Sequence, residues 1–177
     1  MELQYDEALS PPILLLLTVI FAHAIELALI GESKLVTDTA GLAGIIDDDT
    51  SLIMLRIVAF ATFPLIFATH TLRRLKVPLT RSALEPQFFA QCYANAPFAL
   101  LVSVAVTLWQ VPDDGVRLLA LAIFAVSVAG FLAIETAWFR KVLAVGLARG
   151  LWNALIAWAQ AIAFMLLLGW LLGGADW

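Results

Sequence analysis

The sequence predicts an all-α polytopic membrane helical bundle with five transmembrane helices, and three observations lead there. Hydrophobic residues make up 63% of the chain and charged residues 14%, with a mean hydropathy of +0.97; a soluble domain carries about a quarter charged residues. The apolar residues gather in five stretches, at 12–30, 52–72, 88–109, 117–138 and 151–172, each close to the ~20 residues a helix needs to cross a ~30 Å hydrocarbon core. The cations are distributed unevenly between the connections. Counting connections alternately, Arg73, Arg74, Lys76, Arg81, Arg140, Lys141 and Arg149 share the side of the N-terminus, and only Lys34, Arg56 and Arg117 fall on the other. The positive-inside rule then makes the N-terminus cytoplasmic and the C-terminus external. The spans and their short connections use nearly all 177 positions, so a single transmembrane domain over 1–177 is expected, without a soluble catalytic domain.

Span one starts at Pro11 and Pro12 after a tail with Glu2, Asp6 and Glu7. A signal peptide would start basic and end in a small-residue cleavage site, so this segment is read as a retained anchor. His23 and Glu26 sit three apart on one face near its external end. The connection to span two is the longest; its centre, 36–46, reads as an interfacial helix or loop, and Asp47, Asp48, Asp49 and Thr50 offer an N-cap to span two, where carboxylates suit the positive end of the helix dipole. Calcium would need six to eight oxygens and the spacing of a calcium loop, which three successive Asp residues do not supply.

Span two carries Arg56 at the depth of Glu26, so a hairpin of the first two spans would pair them, the guanidinium keeping the carboxylate charged. Its Phe60 to Pro64 stretch resembles Tyr93 to Pro97 of span three, each with an aromatic residue four positions before a proline. Such prolines free a backbone carbonyl and bend the helix, and two bends side by side could leave a cavity. Span three also presents Gln87, Gln91 and Asn95 as a row at every fourth position, and Asn153 with Gln160 forms a matching row on span five. Both rows lie in the cytoplasmic half, so amide contacts between spans three and five are expected, as packing contacts or as a polar lining. The lone Cys92 reads as a small apolar packing residue.

Span four has Ala125, Ala129, Ala133 and Ala137 along one edge, and span five has Ala154, Ala157 and Ala161 followed by Gly169 and Gly173. Small residues in such rows let helices approach closely. Glu135, about 140° from the centre of the alanine edge at ~100° per residue, is expected to meet Arg140, Lys141 or Arg149 in an interfacial ion network. Trp109, Trp138, Trp152, Trp170 and Trp177 fall near span ends as an aromatic belt.

The ionisable residues inside the spans are costly there and mark the first places to look for function. The polar candidates are His23, Glu26, Arg56, Gln91, Asn95, Glu135, Asn153 and Gln160. His70 is placed at the opposite membrane face from His23, so the two histidines form no metal centre. No phosphate loop, dinucleotide fingerprint, paired-cysteine motif, zinc-protease helix or nucleophile elbow occurs. No catalytic, cofactor-binding or metal-ligating residue is therefore assigned, and no cofactor is expected beyond structural lipids. The basic clusters read as topology signals and headgroup contacts, with no nucleic-acid partner.

The run Leu55-Arg-Ile-Val-Ala-Phe60-Ala-Thr-Phe-Pro64, with five spans and this orientation, resembles the YIP family of five-helix membrane proteins and its bacterial members. That resemblance implies a non-enzymatic protein acting through partners. The long cytosolic N-terminal region that serves small GTPases in eukaryotic members has no counterpart in a tail of about eleven residues, so that role does not carry over. The expected function is an integral membrane scaffold or accessory subunit that packs against other integral membrane proteins or itself, in a bacterial inner membrane. The alternatives are a small transporter or channel subunit with a polar path between spans one, three and five, and a membrane-embedded enzyme acting on lipid.

Overall fold

The computed structural model describes residues 9–31 and 49–173, with side-chain surroundings for 9–31 and 53–167. Five helices occupy them: α1 (Pro11–Ile30), α2 (Asp49–Leu75), α3 (Arg81–Trp109), α4 (Asp114–Val142) and α5 (Leu147–Gly173). All five contain segments long and apolar enough to cross a membrane. The expected interfacial segment at 36–46, the capping role of Asp47 and Asp48, and Trp177 lie outside the described residues.

Local chemistry sets the helix limits, and several helices exceed the apolar stretches within them. Pro11 and Pro12 open α1, where a missing N–H costs nothing. Gly31 closes it at φ +81°, donating its N–H to the Leu27 carbonyl. The Thr80 hydroxyl caps α3 by accepting from Ala83 N–H, so that helix starts at Arg81 rather than at 88. Asp113 likewise caps α4 through a 2.9 Å bond from Val116 N–H. Hydropathy locates the part of a helix that fits in lipid, whereas caps decide where the backbone starts to coil.

α2 and α4 end in the same way without glycine. Lys76 and Ala144 take left-handed φ values of 57° and 51°, and the next residue reaches back five positions, Val77 N–H to Leu72 O and Val145 N–H to Arg140 O. At α2 a second bond, Lys76 N–H to Arg73 O, completes the two-bond C-terminal closure usually built on glycine. The short connections that follow make sequential helices antiparallel neighbours.

Contacts between elements give the arrangement. α3 packs on α1, α2 and α4, while α5 packs on α4 and α2. Around the bundle the order is α1, α2, α5, α4, α3, with α2 and α3 touching across it. α1 is thus an addition to a four-helix group, seated between α2 and α3 through Leu15 and Val19 against Cys92, Ala96 and Ala99. Cys92 is buried and free, a packing residue as read from sequence.

The four-helix group closes on aromatic rings. Phe98 and Phe131 stack at 4.5 Å, Phe67 meets Phe131 edge-on at 5.3 Å, and Phe63 lies 6.0 Å from Phe98. Phe63 precedes Pro64 and Phe98 follows Pro97, so each proline adjoins a ring of this cluster in the chain. Ala154, Ala157 and Ala161 are fully buried against these rings, small residues opposite large ones. The alanine row of α4 behaves differently: Ala125, Ala129, Ala133 and Ala137 are all exposed, and α4 buries the face bearing Ala120, Ser127, Phe131, Glu135, Thr136 and Phe139 instead. Gly169 and Gly173 lie on α5 beyond the described side-chain surroundings.

Five hydroxyl groups inside the helices are satisfied locally. Thr18, Thr62, Thr71, Thr107 and Ser127 each donate to the carbonyl four residues earlier, which removes a polar group from an apolar setting without any partner helix.

Candidate functional site

Two polar networks form near opposite ends of the bundle. The first joins α1, α2 and the end of α3. Glu26 is fully buried, pairs with Arg56 through Oε2, and accepts a 2.7 Å bond at Oε1 from Gln110 Nε2. Arg56 also lies 3.2 Å from His23 Nδ1. A guanidinium only donates, so Nδ1 is the acceptor and the ring proton sits on Nε2. The expected Glu26 and Arg56 pair therefore forms, with His23 attached to it. Gln110 had no signal in sequence, because it falls just past an apolar stretch and its partner lies 84 positions away.

The second network lies toward the end that gathers Arg73, Arg74, Lys76, Arg81, Arg140, Lys141 and Arg149, and it corrects several expectations. Asn153 and Gln160 of α5 do not meet Gln91 and Asn95 of α3. They meet His70 of α2: Nδ1 is 3.1 Å from Gln160 Oε1 and Nε2 is 3.3 Å from Asn153 Oδ1. Asn153 donates its amide to Arg149 O at 2.7 Å, which turns its oxygen toward the imidazole. Arg74 Nε lies 3.4 Å from the same Nε2. That nitrogen can either donate to Asn153 or accept from Arg74, so the tautomer selects the partner. The edge of the ring packs on Phe139 at 5.6 Å. α2 stands between α1 and α5 in the bundle, an order that the spacing of amides along α3 and α5 does not reveal.

Glu135 also departs from expectation. It meets neither Arg140, Lys141 nor Arg149; among the described residues its partner is Gln91, whose Nε2 donates to Oε2 at 3.0 Å. Asn95 Nδ2 donates to the backbone carbonyl of Gln91 at 2.8 Å. Glu135 and Asn95 are fully buried and Gln91 nearly so. The cationic side chains of that end are exposed, and water offers them better solvation than a buried carboxylate a turn or two inside.

Among the described residues α5 packs chiefly on α2 and α4, and the polar residues of α1 lie at the other end from those of α3 and α5. Among the described residues no three His, Cys, Asp or Glu side chains gather as a metal site. Comparison with family models, curated proteins and solved structures finds no match to this chain.

Proposed function

We propose that this chain is a non-enzymatic integral membrane accessory subunit that binds other membrane proteins through the outward face of α4. The observation that carries this reading is the row Ala125, Ala129, Ala133 and Ala137, exposed at every fourth position on a helix whose buried face is already occupied. In lipid, apolar surface alone gives no drive for association, since acyl chains solvate it as well as another helix does. Association then rests on close packing, which small side chains permit. Val126 and Ile134, both exposed, stand together along one side of the row at ~100° per residue.

The His23, Glu26, Arg56 and Gln110 cluster and the His70, Asn153 and Gln160 cluster are each bonded within themselves, as expected of groups that fix helix order. The orientation follows the cation bias, with the basic end cytoplasmic and the C-terminus external, in a bacterial inner membrane. The resemblance to the YIP family agrees with a role exercised through partners.

Mild detergent extraction, capture through a tag and mass spectrometry of what remains bound test this reading. A stoichiometric membrane protein is expected, and Ala129→Trp should release it while leaving the melting temperature of the chain unchanged. Recovery of the wild-type chain alone in mild detergent would reject it.

A further inference from the structure

Three buried side-chain oxygens on α3 and α4 have no donor, Glu135 Oε1, Gln91 Oε1 and Asn95 Oδ1, and the hydroxyl of Thr136, next to Glu135 in the chain, is likewise without a partner among the described residues. The amide orientations follow from their bonds. Gln91 must turn its NH2 toward the Glu135 carboxylate, and Asn95 must turn its NH2 toward a carbonyl, because neither acceptor can meet another oxygen. Both amide oxygens are thereby left over, and the carboxylate that Gln91 bonds keeps one oxygen free. Buried polar atoms of native proteins are rarely unpaired, and a buried negative charge without a counter-charge is costlier still.

The charged and titratable groups brought to this end by the packed helices are His70, Arg73 and Arg74 on α2 with Lys76 just beyond it, Arg81, Glu85, Cys92 and Tyr93 on α3, Arg140 and Lys141 on α4, and Arg149 on α5. Among the described residues none forms an ion pair with Glu135, and Arg81 is engaged with Glu85. What the cluster lacks is one positive charge and a partner for three oxygens. Gln87, one turn nearer the start of α3, has its own oxygen buried without a donor, so the row of acceptors continues toward the basic end.

We propose that Glu135, with the amide oxygens of Gln91 and Asn95, forms an internal site for one monovalent cation, a proton or a sodium ion. A proton on Oε1 would neutralise the carboxylate and donate to one of the two amide oxygens. A sodium ion would take oxygens from all three side chains, with the single carboxylate balancing its charge. The site is independent of the partner-binding face on α4.

The test uses the full chain in detergent micelles, treated with a hydrophobic carbodiimide, which modifies protonated carboxyl groups, across a pH series in sodium chloride or choline chloride. Peptide mass spectrometry reads the modification at Glu135, and melting is followed in the same buffers. If sodium occupies the site, sodium chloride suppresses labelling several-fold relative to choline chloride and raises the melting temperature, and both effects vanish in Glu135→Gln. If the proton occupies it, labelling is insensitive to sodium and falls as pH rises, and Asn95→Leu, which removes one acceptor of the acidic proton, shifts that fall to lower pH. Absence of labelling at every pH together with indifference of the melting temperature to sodium overturns the proposal, since Glu135 would then be a carboxylate with no cation. Glu135→Gln keeps the shape of the side chain, and Asn95→Leu provides a second reading should Glu135→Gln fail to fold.

Discussion

Arg56 is the residue on which the network at the less basic end depends, because it answers both the Glu26 carboxylate and the His23 ring. Removing one member of a buried ion pair leaves the other charge uncompensated, at a cost of about 3–5 kcal/mol. Arg56→Met should therefore destabilise the chain by that order, while the double variant Arg56→Met with Glu26→Gln recovers most of the loss; denaturant unfolding in micelles measures both. His70 offers a smaller effect of the same kind. Gln160 is exposed apart from its bond to the imidazole, so Gln160→Leu costs little, and a double-mutant cycle with His70→Leu should give a coupling of roughly 0.6 kcal/mol, the usual size for such bonds in membranes. The two networks differ in how much of them the sequence reveals. Glu26 and Arg56 stand at equal depth on consecutive helices of a hairpin, so counting residues pairs them. His70 meets Asn153 across 83 positions, and choosing α5 over α1 or α3 as its neighbour requires the order of helices around the bundle, which no periodicity encodes.

At the scale of the element, the helix ends and one close approach carry the testable content. Ala144 adopts a left-handed conformation that costs an L-residue about 1 kcal/mol relative to glycine, so Ala144→Gly should stabilise the α4 to α5 turn by that amount, read as a rise in melting temperature. Gly150 stands in the opposite situation. A Cβ there would lie 2.5 Å from Arg140 Cγ and 3.0 Å from the Thr136 carbonyl oxygen. The arginine can swing away; the carbonyl is held by its helix. Gly150→Val should separate the two helices and cost about 1–3 kcal/mol, the range for overpacking. Neither position stands out in the sequence: alanine gives no sign of a left-handed residue, and a glycine inside a helical stretch is as easily tolerated as required. The five helices themselves are legible, because 20 apolar residues in water have no alternative to burial or lipid. Their ends are not, since α3 continues past its apolar part on the strength of Thr80.

Across the whole molecule, the charge asymmetry that suggests orientation becomes a three-dimensional arrangement. Arg73, Arg74 and Lys76 at the end of α2, Arg81 at the start of α3, Arg140 and Lys141 at the end of α4 and Arg149 near the start of α5 all gather at one end. Asp113 and Asp114 lie at the other. Anionic headgroups on the cytoplasmic leaflet attract the first set, at roughly 1 kcal/mol for each cation near the surface. In the proposed orientation, this attraction favours the basic end inside and the end of α5 outside. Cys92, the only cysteine, is fully buried, so the native chain should not react with thiol reagents and one added cysteine should report cleanly. With a membrane-impermeant maleimide applied to intact cells, Asp114→Cys should react, its native side chain being fully exposed. Lys76→Cys should react only after the membrane is permeabilised. The reverse pattern would invert the orientation and move the Glu135 network to the external half of the bundle. Replacing Arg73, Arg74 and Lys76 together with glutamine in the Asp114→Cys background should produce a mixed population with reduced labelling, because the remaining four cations on that side of the sequence then compete with Lys34, Arg56 and Arg117 on the other on more even terms.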